Sequence, residues 1–270
     1  MTWRAVTAIV VSYHTGRRLR DCLYALKSDP EVDGIVVINN GNPAPDTEWL
    51  DQTVAQWDTV EAVMKRENIG FGPACNLGAS LARGDFLVFV NPDAMVRRGS
   101  VFALQSACKG QPSPCQVGGK IFGADGIEQR GARRRELTWA SALGLRRWTL
   151  EHTPAPSAPT AMDVVSGAFF AMPKSDFNAI GGFDETYFLH VEDIDLSRTV
   201  RAQGGSVLYQ PLAAALHDGA TSDADSRTVA RHKADSLTYY FRKWARTPSD
   251  RALNFLLLPL LRWRIIHRAR

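Results

Sequence analysis

The stretch that most constrains this chain is residues 85–95, where a dense apolar run, Phe86 to Val90, stops abruptly at Asn91-Pro92-Asp93. Five consecutive apolar residues between polar ends read as a strand buried on both faces, the signature of a parallel sheet. Pro92 cannot continue a hydrogen-bonded ladder, so the chain must turn there. Asp93 then stands at the carboxyl end of a central strand, where open α/β sheets bind their ligands.

The segments before it alternate in the same sense. Val6–Ser12, Gly34–Ile38 and Val60–Lys65 read as strands. Gly16–Leu26, Thr47–Trp57 and Pro73–Ala82 read as helices, the last with Pro in its first turn. Strand–helix alternation of this kind implies βαβ units and an α/β fold. The rest is less regular. Val117–Phe122 and Ile127–Arg130 suggest short strands around an Asp125-Gly126 hairpin signal. Gly131–Pro159 reads as a long mobile loop. Val164–Met172 and Ser206–Tyr209 are strand-like; Glu192–Gln203, Asp225–Trp244 and Ala252–Arg268 are helical in pattern.

A 45% apolar share of 270 residues supplies a sizeable core and excludes general disorder. Cys22, Cys75, Cys108 and Cys115 form no C-x-x-C pair, which argues for buried thiols in a reducing compartment rather than a disulfide frame or zinc site. The N-terminus has no signal-peptide shape. The net charge of +4 conceals an asymmetry. From Arg227 onward there are eleven Lys/Arg against two acids, Asp235 and Asp250, leaving about −5 for everything before. Such a basic tail suits nucleic acid or an anionic membrane surface. Ala252–Leu261 is apolar and is followed by Arg262, Arg264, Arg268 and Arg270. Broken by Pro259, it is too short to span a bilayer but has the make-up of an interfacial helix with Trp263 at headgroup level, or of a helix packed on the domain.

Several residues carry candidate chemistry, each with a plainer alternative. Asp93 suits Mg²⁺ or Mn²⁺, which take one or two carboxylates plus substrate phosphates; otherwise it caps the next segment. His217 follows an apolar stretch and is either a core histidine or a ligand that tilts preference toward Mn²⁺. Glu192, Asp193 and Asp195 open a helix, where acids favour the dipole without any catalytic role. One of them can face a cleft as a general base, and Asp193 is favoured over Glu192. The loop Asn68-Ile69-Gly70-Phe71-Gly72 before a helix allows close backbone approach to a ligand, or is simply a helix start.

These pieces, in this order, resemble an inverting family 2 glycosyltransferase of the rhamnosyltransferase-like branch. The matching stretches are Val10–Tyr13, Val37–Gly41, Glu67–Gly72 with Asn76–Gly78, Gly84–Ala94, Ser166–Ala168, Gly181–Glu185 and Glu192–Leu196. The resemblance implies a GT-A fold, a mostly parallel, mixed central sheet flanked by helices, with a C-terminal helical tail. It implies a transferase domain over residues 1–245, with a nucleotide-sugar half to about 98 and an acceptor half after it, and a basic amphipathic tail over 246–270. It assigns the nucleotide-diphospho-sugar donor to Val11, Ser12, Tyr13, Asn39, Asn68, Gly70, Phe71, Asn76, Asn91 and Asp93. It assigns Mn²⁺ or Mg²⁺ to Asp93 and His217, and the base to Asp193, with Glu192 second. A glycan or lipid-linked acceptor would meet Ser166, Gly167, Ala168, Phe183, Asp184 and His190. The expected location is cytoplasmic, at the inner face of the membrane, with no nucleic-acid partner. Two departures stand out: Asn39 and Asn91 replace carboxylates usual in relatives. A catalytically decayed sugar-nucleotide-binding protein and a nucleotidyltransferase remain alternatives.

Overall fold

The computed structural model describes residue 3 and residues 5–217 and 225–268; Arg270, counted in the basic tail, lies outside the described residues. The first half runs β1 (Val6–Ser12), α1 (Arg17–Lys27), β2 (Gly34–Asn40), α2 (Ala44–Val54), β3 (Val60–Lys65), α3 (Phe71–Leu81) and β4 (Phe86–Val90). All four strands are parallel, in the order β3-β2-β1-β4. Every residue of β1 and of β4 is buried, as two-sided cover by helices demands. Helix α2 begins three residues earlier than expected, because Pro45 falls in its first turn, where no donor is lost.

After the turn at Asn91-Pro92 the chain forms β5 (Ala94–Val96) and α4 (Ser100–Cys108), neither of which was expected. Then come β6 (Cys115–Phe122), β7 (Arg133–Arg134), α5 (Trp139–Ala142), β8 (Thr160–Ala161), β9 (Val164–Val165), β10 (Phe169–Pro173) and α6 (Lys174–Ala179). The chain closes with α7 (Glu192–Ala202), β11 (Ser206–His217), α8 (Ser226–Lys243) and α9 (Pro248–Arg268). Strand β10 lies antiparallel between β4 and β6, β6 runs parallel to β11, and β5 lies antiparallel beside β11. The sheet is therefore mixed and mostly parallel, a GT-A arrangement.

Several local expectations are corrected. The strand from Ser206 does not stop at Tyr209 but runs on to His217. Its pairing with β6 slips between Gln210 and Ala214, where Pro211 has no N–H to give the ladder. The bent continuation meets β5 in the register His217↔Ala94, and this carries His217 beside Asp93. Ile127–Arg130 forms only an isolated bridge, Phe122↔Glu128, beyond the expected turn. Val164–Met172 splits into β9 and β10 at Ser166-Gly167-Ala168. The segment 131–159 is no loose loop, since it contains β7 and α5. Arg133 is buried in it, paired with Glu128 at 2.6 Å and bonded to three backbone carbonyls. The four cysteines are buried and free.

One large core fills both faces of the sheet. A second gathers Tyr187, Ile194, Leu237, Tyr240, Phe241, Leu258 and Leu261, locking α7, α8 and α9 together. Trp139 stacks on Phe241 at 4.0 Å and donates to Asn254, whose own amide donates to the Phe241 carbonyl. The C-terminal helix is thus packed along one face. No helix among the described residues is long and apolar enough to cross a membrane.

Candidate active site

A cavity of about 500 Å³ opens over the carboxyl ends of β1, β2 and β4. Its floor is Val11, Tyr13, Thr15, Asn40, Asn91, Pro92 and Asp93, with His217 from β11; Asn68 and Phe71 form one wall. Phe188, Leu189 and His190 approach from above, joined by Thr228, Val229 and His232 of α8. His190 and Val191 both have positive φ, 66° and 73°, an uncommon backbone that aims this loop over the cavity. Burial, then the nearby Lys233 charge, lowers the pKa of His190. His232 stacks on Phe188 at 4.4 Å.

Asp93 Oδ1 lies 3.2 Å from His217 Nε2, both side chains being largely buried. Asn91 Nδ2 reaches the same nitrogen at 3.2 Å. On the far side of the ring, Nδ1 is 2.7 Å from Gln129 Oε1, while Gln129 Nε2 donates to the His217 carbonyl at 2.5 Å. The donor set fits a hard divalent cation. Two ligands at right angles on about 2.1 Å bonds are about 3.0 Å apart, close to the spacing here. One carboxylate and one imidazole leave the remaining positions to phosphates and water, as Mg²⁺ and Mn²⁺ sites commonly do. No third acid, histidine or cysteine joins them among the described residues.

Asp193 opens α7 and turns toward the β9–β10 junction. Its Oδ2 accepts from Gly167 N at 3.1 Å and pairs with Arg134 Nη2; its Oδ1 accepts from Ile194 N at 2.8 Å. A β-carbon at residue 167 would sit 3.0 Å from Asp193 Cβ, so glycine there lets the two backbones approach. The junction touches the cavity floor, since Asn91 N donates to the Ala168 carbonyl at 2.9 Å. Glu192 is buried, and its Oε2 has no hydrogen-bond partner. Burial first, then the Asp193 charge, pushes its carboxyl up to about 8.

The other expected residues divide between cavity and scaffold. Ser12 lies under the floor, bonded to Thr15 and Asn42. Asn39 faces away from the cavity, donating to Thr47 and accepting from Asn42 N, so its amide shapes the turn. Its neighbour Asn40 lines the cavity instead, gripping Asn68, Ile69 N and the Gly70 carbonyl. Gly70, at φ 94°, makes room for the Phe188 carbonyl, which a β-carbon would meet at 2.9 Å. Asn76 brackets the Phe183 backbone from both sides. Phe183 is buried among Phe71, Phe89, Phe170 and Phe177. Asp184 is held by Lys243 at 2.7 Å and Tyr239 at 2.9 Å. Burial alone would raise its pKa, but the Lys243 ammonium and its other donors bring it to about 2. Ser166 Oγ accepts from Ala168 N at 3.2 Å, closing the junction on itself.

Arg134, Gln129, Asn40 and His232 are site neighbours that sequence reasoning missed. Arg134 had a signal: strand alternation sends Arg133 to Glu128 and Arg134 to Asp193, opposite ways from one ladder. Gln129 had none.

The comparisons with known proteins bear on the family and the fold. The profile of the family described as "Glycosyltransferase like family 2" matches residues 4–248. An N-acetylglucosaminyl-diphospho-decaprenol L-rhamnosyltransferase of Mycobacterium tuberculosis is 27% identical over 89% of this chain and 86% of its own length. The rhamnosyltransferase WbbL of Escherichia coli is 23% identical over 88% of this chain and 93% of its own. Among solved structures, GalNAc-T7 with UDP, GalNAc and Mn²⁺ superposes with a TM-score of 0.68 at 17% identity, over 88% of this chain. The chain spans about half, 48%, of that protein.

Proposed function

Because the chain belongs to the glycosyltransferase-like family 2, we propose that it moves a sugar, rhamnose being the first candidate, from a nucleotide-diphospho-sugar to a hydroxyl of a glycan or lipid-linked acceptor. The reaction is a single inverting displacement that depends on Mn²⁺ or Mg²⁺. The observation that carries this reading is the 3.2 Å approach of Asp93 to His217 at the end of β4. The rhamnosyl donor and the lipid diphosphate acceptor follow the first relative's name.

A divalent cation held by Asp93 and His217 would neutralise charge gathering on the leaving diphosphate. The protein's own groups do the rest. Asn40, Asn68 and Phe71 wall the nucleoside end of the cavity. Asp193 takes the acceptor hydroxyl's proton as the new C–O bond forms and the bond to the diphosphate breaks. Arg134 and Gly167 both engage its Oδ2, whereas Oδ1 accepts from Ile194 N, so Oδ1 is the oxygen assigned to that proton. Arg134 keeps the carboxylate turned toward Gly167. Burial, and then the Asp193 charge, pushes the Glu192 carboxyl up to about 8, so Glu192 holds its own proton at neutral pH and is the poorer acceptor. A screen of uridine-, thymidine- and guanosine-diphospho-sugars with Mn²⁺ or Mg²⁺ tests the reading. Nucleoside diphosphate and an inverted glycoside are the expected products. Pyrophosphate release would point to nucleotidyl transfer, and turnover in excess chelator would remove the cation.

The acceptor is proposed to lie at an anionic membrane surface. Phe255, Leu256, Leu260 and Trp263 project from α9 at 82%, 67%, 52% and 57% exposure, opposite the buried Asn254, Leu258 and Leu261. Arg262 and Arg264 flank that stripe, as in interfacial helices. The double change Phe255→Glu and Trp263→Glu should abolish sedimentation with vesicles containing phosphatidylglycerol. It should leave the melting temperature unchanged; undiminished sedimentation would refute membrane docking.

A further inference from the structure

We propose that Gln129 is a positioning residue of the Asp93–His217 site, fixing which imidazole nitrogen faces the cavity; this rests on reading those two side chains as metal ligands. The assignment follows from one amide. Gln129 Nε2 donates to the His217 carbonyl at 2.5 Å. Reversing the amide would set oxygen against oxygen at that distance, so its orientation is determined by its partner. Oε1 therefore faces His217 Nδ1, 2.7 Å away, and an amide oxygen can only accept. Nδ1 must carry a proton, so in the neutral ring Nε2 holds the lone pair, which accepts from Asn91 Nδ2 and faces Asp93. That lone pair and the Asp93 carboxylate, 3.2 Å apart, are placed to share a cation, whereas an N–H on Nε2 would donate to Asp93 and close the site.

Gln129 is itself rigidly held. Its N–H donates to the Ile121 carbonyl at 2.9 Å, and its carbonyl accepts from Ala132 N at 3.0 Å. The adjacent Glu128 is anchored by Arg133 and by the Tyr209 hydroxyl. The side chain thus clamps the end of β11 twice, once at the backbone and once at the ring. Partners of this kind set ring orientation and ligand basicity at metal-binding histidines.

The test measures the His217 tautomer and Mn²⁺ binding separately. In ¹⁵N-histidine-labelled protein, long-range ¹H–¹⁵N spectra should show a pyrrole-like Nδ1 and a pyridine-like Nε2 for His217. Gln129→Leu should lose that preference and weaken Mn²⁺ binding, read by electron paramagnetic resonance with inorganic pyrophosphate present, by about 10–100-fold. Gln129→Glu retains an acceptor against Nδ1 but has no N–H for the His217 carbonyl, so it should keep the Nδ1–H preference that Gln129→Leu loses while giving up the backbone clamp, which separates the two roles. A protonated Nε2 in the wild type, or a Gln129→Leu protein unchanged in both readouts, overturns the proposal while leaving the metal site intact. Undiminished Mn²⁺ binding by Asp93→Ala would instead remove the ligand reading, and the role of Gln129 with it.

Discussion

The parallel half from Val6 to Val90 and the mixed half from Cys115 to Lys243 present side chains to the site in different ways. In the first, the ladder does the placing: Val11, Tyr13, Asn40 and Asn91 stand at or just past the ends of adjacent parallel strands. In the second, ion pairs and amides reach across the sequence. Arg134 holds Asp193, Lys243 holds Asp184 and Asp195, and Gln129 holds His217. Removing one partner of a buried pair leaves an uncompensated charge, whereas a strand-end side chain can be trimmed without touching the ladder. Substitutions in the first half should therefore cost function alone, and those in the second should cost function and stability together.

Asp193→Asn should give the largest effect. Turnover should fall by about 10²–10⁴-fold, the usual contribution of a positioned base. Donor affinity should hold while the melting temperature drops, because Arg134 loses its anion. A variant that turns over normally would take the base role away from Asp193. One that is inactive yet melts like the wild type would break the contrast between halves. Arg134→Met probes the same pair from the other side. Leaving Asp193 buried and unpaired should cost about 3–5 kcal/mol in denaturant unfolding. Asp93→Ala, just past the end of the parallel half, should abolish the Mn²⁺ dependence of donor binding and lower the melting temperature less than Arg134→Met does. A loss of stability equal to that of Arg134→Met would erase the distinction.

The same contrast explains what the sequence made legible. Val6–Ser12 and Phe86–Val90 were readable to the residue, because a strand buried on both faces must be a largely apolar run. The meeting of Asp93 with His217 was expected from family resemblance alone. Its physical cause, the three-residue β5 against a β11 bent at Pro211, lies in pairing between distant segments. Such pairing leaves no local period to read. The segment 131–159 was misjudged because its order comes from buried arginines rather than apolar spacing. Asn39 illustrates a subtler miss. Its neighbour Asn40 is chemically identical, and only the turn geometry decides that Asn40 lines the cavity while Asn39 binds Thr47 and Asn42.

Glu192 offers the smallest but most discriminating test, because it is a second-half acid with no cation of its own. Burial, and then the Asp193 charge, pushes its carboxyl in the folded state up to about 8 from an ordinary value of 4.5. Between those values the native state holds a proton that the unfolded state has released. Stability is therefore fully present below about pH 4.5 and declines as pH rises toward 8, by at most about 1.4 kcal/mol per pH unit. Glu192→Gln imitates the protonated form and removes this slope. The variant should match the wild type near pH 4.5 and melt at a higher temperature at pH 8. Equal melting behaviour at both pH values would show that Glu192 is not held neutral. The kinetics then separate the two acids: Glu192→Gln should retain most turnover at neutral pH, and a collapse as deep as that of Asp193→Asn would transfer the proton-accepting role to Glu192.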